Sequence, residues 1–218
     1  HRNTASNEYS YQLRAVVKGD TVKATAKMVG GSGFEIWSRT ANFSIYPDNT
    51  VPKKVFFYPA QNGAIYQISA SFTFREQRGE GNDSVPRTMY WELGTLHSED
   101  LYMNSDGLYY INYLAGTFYK NLRDFLGADT IPIGVTRLLG DWPITFYICA
   151  GGWEMEDYML FNGLTGDVAQ SHPEYSPIEG GIGLFSSRCY RTQKARLAGT
   201  TVPELIDLNW GFKYSGGE

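Results

Sequence analysis

Cysteine and histidine are scarce in this chain, and positive charge is not in excess. Two cysteines, Cys149 and Cys189, and three histidines occur among 218 residues. The cysteines form no C-x-x-C pair, so no structural zinc motif is present. Each lies in an apolar or strand-like setting. Two buried thiols and one disulfide between neighbouring strands both remain open. His1 is terminal, His97 sits in the polar LHSED, and His172 precedes Pro173. None belongs to an H-E-x-x-H motif, and nothing local sets one beside a serine and an aspartate. All three read as surface residues. Net charge is 19 − 23 = −4. Without a basic stripe, nucleic acid and an anionic membrane surface are poor partners. No run approaches the roughly 18 apolar residues of a spanning helix. No cofactor or metal motif is present, and the loop GEGND (Gly79 to Asp83) lacks EF-hand calcium spacing.

Aromatics and glycine are abundant. Tyr, Phe and Trp make up 15% and glycine numbers 24, within 42% hydrophobic residues. This composition supports a packed core and tilts the chain towards strands punctuated by turns. Tyr9, Tyr11, Leu13, Ala15 and Val17 alternate with Gln12 and Arg14. After Lys18-Gly19-Asp20, Val22, Ala24, Ala26 and Met28 alternate with Lys23, Thr25 and Lys27. This predicts an antiparallel hairpin. In AIYQISASFTFRE, Tyr66, Ile68, Ala70, Phe72 and Phe74 share one face of a half-buried strand, with Gln67, Ser69, Ser71, Thr73 and Arg75 opposite. Asn62-Gly63 is expected to turn this strand back onto KVFFY, and EQRGEGNDSVP to lead it into RTMYWELG, a meander in one sheet.

The period changes mid-chain. Leu114, Phe118, Leu122, Phe125 and Leu126 lie on one helical face, and Gly127 is a stop. Strands are expected at IGVTRLL and ITFYICA, and a short helix at EMEDYMLF. Thr201-Val202-Pro203-Glu204 has the capping-box pattern of a further short helix. The chain, 1–218, therefore reads as one antiparallel β-sandwich-like domain with a mid-chain helix and short C-terminal helices; a division near residue 95 is the alternative. It opens on polar residues without a signal-peptide pattern, and reads as a mature or trimmed piece.

The stretch PEYSPIEGGIGLFSSR (Pro173 to Arg188) concentrates Gly180, Gly181 and Gly183. A phosphate cradle would need a helix directly behind the glycines. A nucleophile elbow would need G-x-S-x-G around Ser186 or Ser187. The residues that follow suit a strand, so the cluster is expected to be a structural bend. At least one positive φ or close backbone approach should occur there, a strand should begin near Leu184, and Ile182 and Phe185 should be in the core. Glu154, Glu156 and Asp157 in WEMED fit the acidic first turn of a helix. They could alternatively pair with Glu92 or Asp141 as the two carboxylates of a glycan hydrolase, which stand roughly 5–5.5 Å or 6.5–9.5 Å apart. Trp37, Trp142, Trp153 and Trp210 fall in loops or at element ends, where rings could form a platform for sugars.

The C-terminal part resembles an uncharacterised group of cell-envelope lipoproteins from Bacteroidetes-type bacteria. Pro173, Tyr175, Ile178, Gly180 or Gly181, Gly183 and Phe185 carry the resemblance, with FYKNL, GVTRLL and EDYMLFNG before them and Thr201 to Leu205 (T-x-x-E-L) after. Pro177 stands where the group has Asn. The similarity covers about half the chain. It implies a lipid anchor on a cysteine upstream of His1, an outer-membrane or cell-surface address, and an Ig-like module ahead of this region. It implies no catalytic residues. Asp20-Thr21-Val22, Asp83-Ser84-Val85 and Asp129-Thr130-Ile131 also look like the O-glycosylation sequon of such bacteria. The expectation is a non-catalytic extracytoplasmic binding or structural domain recognising a glycan or an envelope partner.

Overall fold

The computed structural model describes residues 9–37, 42–44, 52–79, 83–127, 134–163 and 176–214. His1, His172, Pro173, Tyr175, Glu80 to Asn82 and the Asp129-Thr130-Ile131 sequon lie outside the described residues. The strands are β1 (Ser10–Val17), β2 (Asp20–Lys27), β3 (Asn42–Phe43), β4 (Lys53–Phe57), β5 (Ile65–Arg78), β6 (Ser84–Leu96), β7 (Tyr109–Tyr113), β8 (Val135–Leu139), β9 (Ile144–Gly151), β10 (Arg188–Leu197) and β11 (Phe212–Tyr214). The helices are α1 (Ala115–Leu126), α2 (Trp153–Gly163) and α3 (Thr201–Asp207). The fold is mainly β and sandwich-like, with the expected mid-chain and C-terminal helices.

β5 is the spine, because its alternation gives it an apolar face from Tyr66 to Phe74. Tyr66, Ile68, Ala70, Phe72 and Phe74 are all buried. β6 pairs along one edge of β5, while the other edge is shared by β9 over 65–72 and by β8 over 75–78. β10 continues the sheet antiparallel to β9. Two short parallel strands finish it, β3 beside β10 and β11 beside β8. Leu93 is an extra residue in β6, since Ile68 faces Gly94 and Ser69 faces Glu92.

Above the apolar face lie the β4–β7 pair and α1. Phe57 of β4 meets Tyr66 at a ring separation of 5.1 Å, and Tyr113 of β7 meets Trp91 at 5.5 Å. Phe118 of α1 drops between Phe72 and Trp91, at 5.3 and 5.7 Å. Such edge-on and tilted packing suits the charge distribution of aromatic rings. α1 ends where the sequence indicates: Gly127 takes φ 72° and its N–H donates to the Arg123 carbonyl.

A buried pair, Glu76 and Arg137, anchors an ionic cluster that reaches the surface through Arg78 and Arg87. Glu76 accepts from Arg78 (2.9 Å), Arg87 (3.4 Å) and Arg137 (3.3 Å), and Arg137 also donates to the Trp210 carbonyl. Burial alone would raise the Glu76 carboxyl. The Arg78 hydrogen bond and the charges of Arg87 and Arg137 outweigh it and hold the carboxyl below its ordinary value.

Three expectations need correction, and one open alternative is decided. Asn62-Gly63 makes a turn but no hairpin, because β4 pairs with β7 instead of β5. The buried Tyr66 hydroxyl pins that turn: it accepts from the Ala60 N–H at 3.0 Å, and the turn carries the chain between layers. The capping box at Thr201 does not form. The N-cap is Thr200, its side chain makes no cap bond, and Thr201 is buried inside the helix. The strand after the glycines begins at Arg188 rather than near Leu184. Ile182 is 76% exposed, and Phe185 is half-buried. Finally, the disulfide alternative closes. Cys189 lies opposite Ala150 and Cys149 opposite Tyr190, so the two point to opposite faces of the sheet, and both are free.

Candidate functional site

The outer face of the large sheet follows from the same alternation that fills the core. Residues directly opposite across antiparallel strands share a face. One row runs Tyr90, Ser71, Thr145, Lys194 across β6, β5, β9 and β10. The next runs Glu92, Ser69, Tyr147, Thr192, and a third Thr95, Gln67, Cys149, Tyr190. These rows carry hydroxyls, one amide, one charge of each sign and three tyrosines, with no aliphatic side chain.

Tyr90 and Tyr190 are 73% and 62% exposed. Tyr147 is held differently. Its hydroxyl lies 3.2 Å from the Ser71 Oγ on the neighbouring strand, and Ser71 is only 3% exposed. A serine hydroxyl sits close to the sheet, so the Tyr147 ring must lean along the surface instead of standing off it. Strand spacing of about 4.8 Å and a rise of about 3.3 Å per residue put the Tyr90 and Tyr190 Cα atoms about 20 Å apart, with Tyr147 between them. The face is braced by Thr73–Thr88 at 3.0 Å and by Gln67 donating to Glu92 at 3.5 Å. Burial pushes the Cys149 thiol up, against the charge of Arg188, so at neutral pH it is a protonated, weak nucleophile.

The four tryptophans expected as a platform occupy four neighbourhoods. Trp37 packs edge-on to Phe56 at 5.6 Å and lines a groove with Asn42, Ser44, Lys53 and Lys54. Trp142 lies under the Arg196 guanidinium at 4.4 Å. Trp153 opens α2 and is 54% exposed. Trp210 is partly buried against the core beside Arg137. Trp142 and Trp153 flank opposite ends of β9, roughly 25 Å of strand apart.

The candidate carboxylates fall into a group on α2 and a distant Asp141. Glu154 and Glu156 lie in the first turn of α2, as the sequence indicates. Glu156 is 1% exposed; its Oε1 accepts from the Ser98 N–H and stands 3.7 Å from His97 Nδ1. Glu154 accepts from Ser186 Oγ at 3.4 Å. Asp141 accepts from the Tyr214 hydroxyl at 3.1 Å, and the length of β9 separates it from α2. That separation is far beyond the spacing of a hydrolytic carboxylate pair. Among the described residues, no three His, Cys, Asp or Glu side chains gather where they could hold a metal ion. No described helix is long and apolar enough to cross a membrane.

The glycine cluster is a bend tied to the β1–β2 hairpin. Lys23 and Glu179 exchange both backbone hydrogen bonds, at 3.0 and 2.8 Å. Gly180 takes φ +74°, and a Cβ there would stand 2.9 Å from the Thr21 carbonyl oxygen. The Ser176 hydroxyl accepts from the N–H of Ile178 and of Gly183, both at 3.2 Å, and faces the Gly181 and Gly183 carbonyls. The amides of Ile178, Glu179 and Gly183 are thus spent on the fold, and do not converge on an anion. Ser187 accepts from the Val29 N–H at 2.9 Å, beside the sheet.

No family model, curated protein or solved structure matches this chain. The tyrosine-bearing face was only half visible in the sequence. The polar side of β5 stood out, but the tyrosines of β6, β9 and β10 join it only through strand register.

Proposed function

We propose that the chain is a non-catalytic, extracytoplasmic binding domain of a cell-envelope lipoprotein, recognising a glycan or an envelope partner. The observation that carries this reading is the open face of the large sheet, where exposed tyrosines stand among hydroxyl and amide groups on a rigid support. Large exposed aromatics on a regular element are a form of recognition surface, because they lose little conformational freedom on binding. The separation of Asp141 from the α2 carboxylates by the length of β9 supports binding over hydrolysis. The envelope address rests on the resemblance around Ile178 to Phe185.

Two measurements test it. Lipid labelling and surface-protease accessibility of the full-length protein in its own cells check the address; a cytoplasmic, unlipidated protein would end that part. Incubation of the pure domain with envelope polysaccharides should give retention without new reducing ends. Reproducible turnover of any of them would return the carboxylates to consideration.

A further inference from the structure

We infer that Tyr90, Tyr147 and Tyr190 form the contact stripe of a site for a neutral, linear oligosaccharide laid diagonally across the sheet. The inference rests on the binding-domain reading and deepens it by naming the site and the ligand class.

Three properties of the face select this ligand. The first is charge. The rows bearing the tyrosines hold one acid, Glu92, and one base, Lys194. Glu92 and Lys194 are of opposite sign, so the three rows themselves carry no net charge, and Arg188 stands one step beyond Tyr190 on β10. The second is polarity. Apart from the rings, the side chains are mostly hydroxyls and one amide, groups that both donate and accept, as sugar hydroxyls do. A protein partner would instead need an apolar patch at the centre of its footprint, and these rows hold none. The third is ring presentation. A pyranose has a flat face of C–H groups that packs on an aromatic ring while its hydroxyls point sideways. The Tyr147 ring leans along the sheet with its hydroxyl at Ser71, and it lies between two exposed rings on a line about 20 Å long. That length calls for several sugar units in sequence rather than one.

The stripe also has a polarity of tasks. Tyr147 is fixed before any ligand arrives, so ordering it costs little. Tyr90 and Tyr190, at the two ends, are held by no comparable bond among the described residues that would set their ring planes. The centre of the site therefore sets the position of the chain, and the two ends add affinity with length.

The test is affinity electrophoresis and calorimetry of the described domain against soluble neutral polysaccharides and a size series of neutral oligosaccharides. Wild type should bind, with affinity rising as the chain lengthens from disaccharide to hexasaccharide. Tyr90→Ala and Tyr190→Ala should each weaken the longest ligand about fivefold to tenfold, with little effect on the disaccharide. Their melting temperatures should stay near wild type, since both rings are exposed. Tyr147→Phe, which keeps the ring and frees it from Ser71, should weaken every length. Four outcomes overturn the inference. If wild type binds only charged glycans, the ligand class is wrong. If it binds neutral chains and all three variants bind equally well, the stripe is wrong while the binding-domain reading stands. If no glycan binds and sedimentation shows a dimer dispersed by Tyr90→Ala with Tyr190→Ala, the face belongs to a second copy. Turnover of the oligosaccharides would remove the underlying reading itself.

Discussion

At Gly180, a φ of +74° coincides with a carbonyl oxygen 2.9 Å from where a Cβ would stand. The two obstacles are independent: one is backbone strain, the other a collision with backbone that cannot swing aside. Gly180→Val should therefore cost about 1–3 kcal/mol and lower the melting temperature. Its first effect should be on the hydrogen bonds between Lys23 and Glu179, making the β1–β2 hairpin more sensitive to limited proteolysis. A phosphate cradle would behave otherwise, with unchanged stability and lost anion affinity. Tyr66 is a second residue with a direct readout. Burial pushes its hydroxyl from 10.0 up to about 12, against the lowering effect of its bond with the Ala60 backbone. The unfolded chain gives up this proton first. The stability contributed is complete below pH 10 and is lost as pH rises towards 12. Alkaline unfolding followed by phenolate absorbance should begin in that window. Tyr66→Phe should flatten the transition and, by orphaning the Ala60 N–H, cost about 1–3 kcal/mol at neutral pH.

Among the elements, α1 has the simplest cause. Its apolar stripe faces the sheet, and Phe118 fits between rings of β5 and β6. Phe118→Ala should remove those contacts and leave a cavity, costing about 3–5 kcal/mol, readable as a lowered denaturant midpoint at unchanged slope. Elements of this kind were legible in the sequence. α1 has a 3.6-residue period and a glycine stop, and β5 has a strict alternation of 2; each is set by a single buried face. Partner choice was less legible. KVFFY and the strand after Asn62-Gly63 look adjacent, but both carry bulky rings that must meet face to face. They are placed in different layers, and Tyr109 to Tyr113 supplies the edge that β4 needs. The α3 cap illustrates a different limit. The T-x-x-E pattern is local, whereas burial of Thr201 and Leu205 is set by the rest of the molecule.

For the whole molecule, acid sensitivity should be traceable to one cluster. The Glu76 carboxyl is held below its ordinary 4.5 by three arginines acting against burial. The folded state thus keeps the charge at pH values where the unfolded chain has begun to bind the proton. The cluster's contribution is complete above about pH 4.5 and drains away as pH falls through the lower folded value. Glu76→Gln should flatten the acid limb of a stability profile. At neutral pH it should also cost about 3 kcal/mol, because Arg137 keeps its charge in a buried place. The binding face is likewise a property of the whole. Sequence alternation marks Gln67 to Arg75 as outward. Gathering Tyr90, Tyr147 and Tyr190 on one line requires β6, β9 and β10 to be in register, which no local pattern encodes. Trp residues are the more conspicuous candidates in the sequence, yet they lie at element ends that the fold sends in different directions.

The two parallel edge strands carry one more consequence, for the order of assembly. β3 finds its partner more than a hundred residues later in β10, and β11 returns to β8 from near the C-terminal end of the described chain. During synthesis the hairpins β1–β2 and β5–β6 can close as soon as they emerge, but the sheet cannot gain its β10 edge until Arg188–Leu197 has emerged. Folding is thus expected on the slow, millisecond-to-second side for a domain of this kind, with β3 the strand that waits longest for its partner.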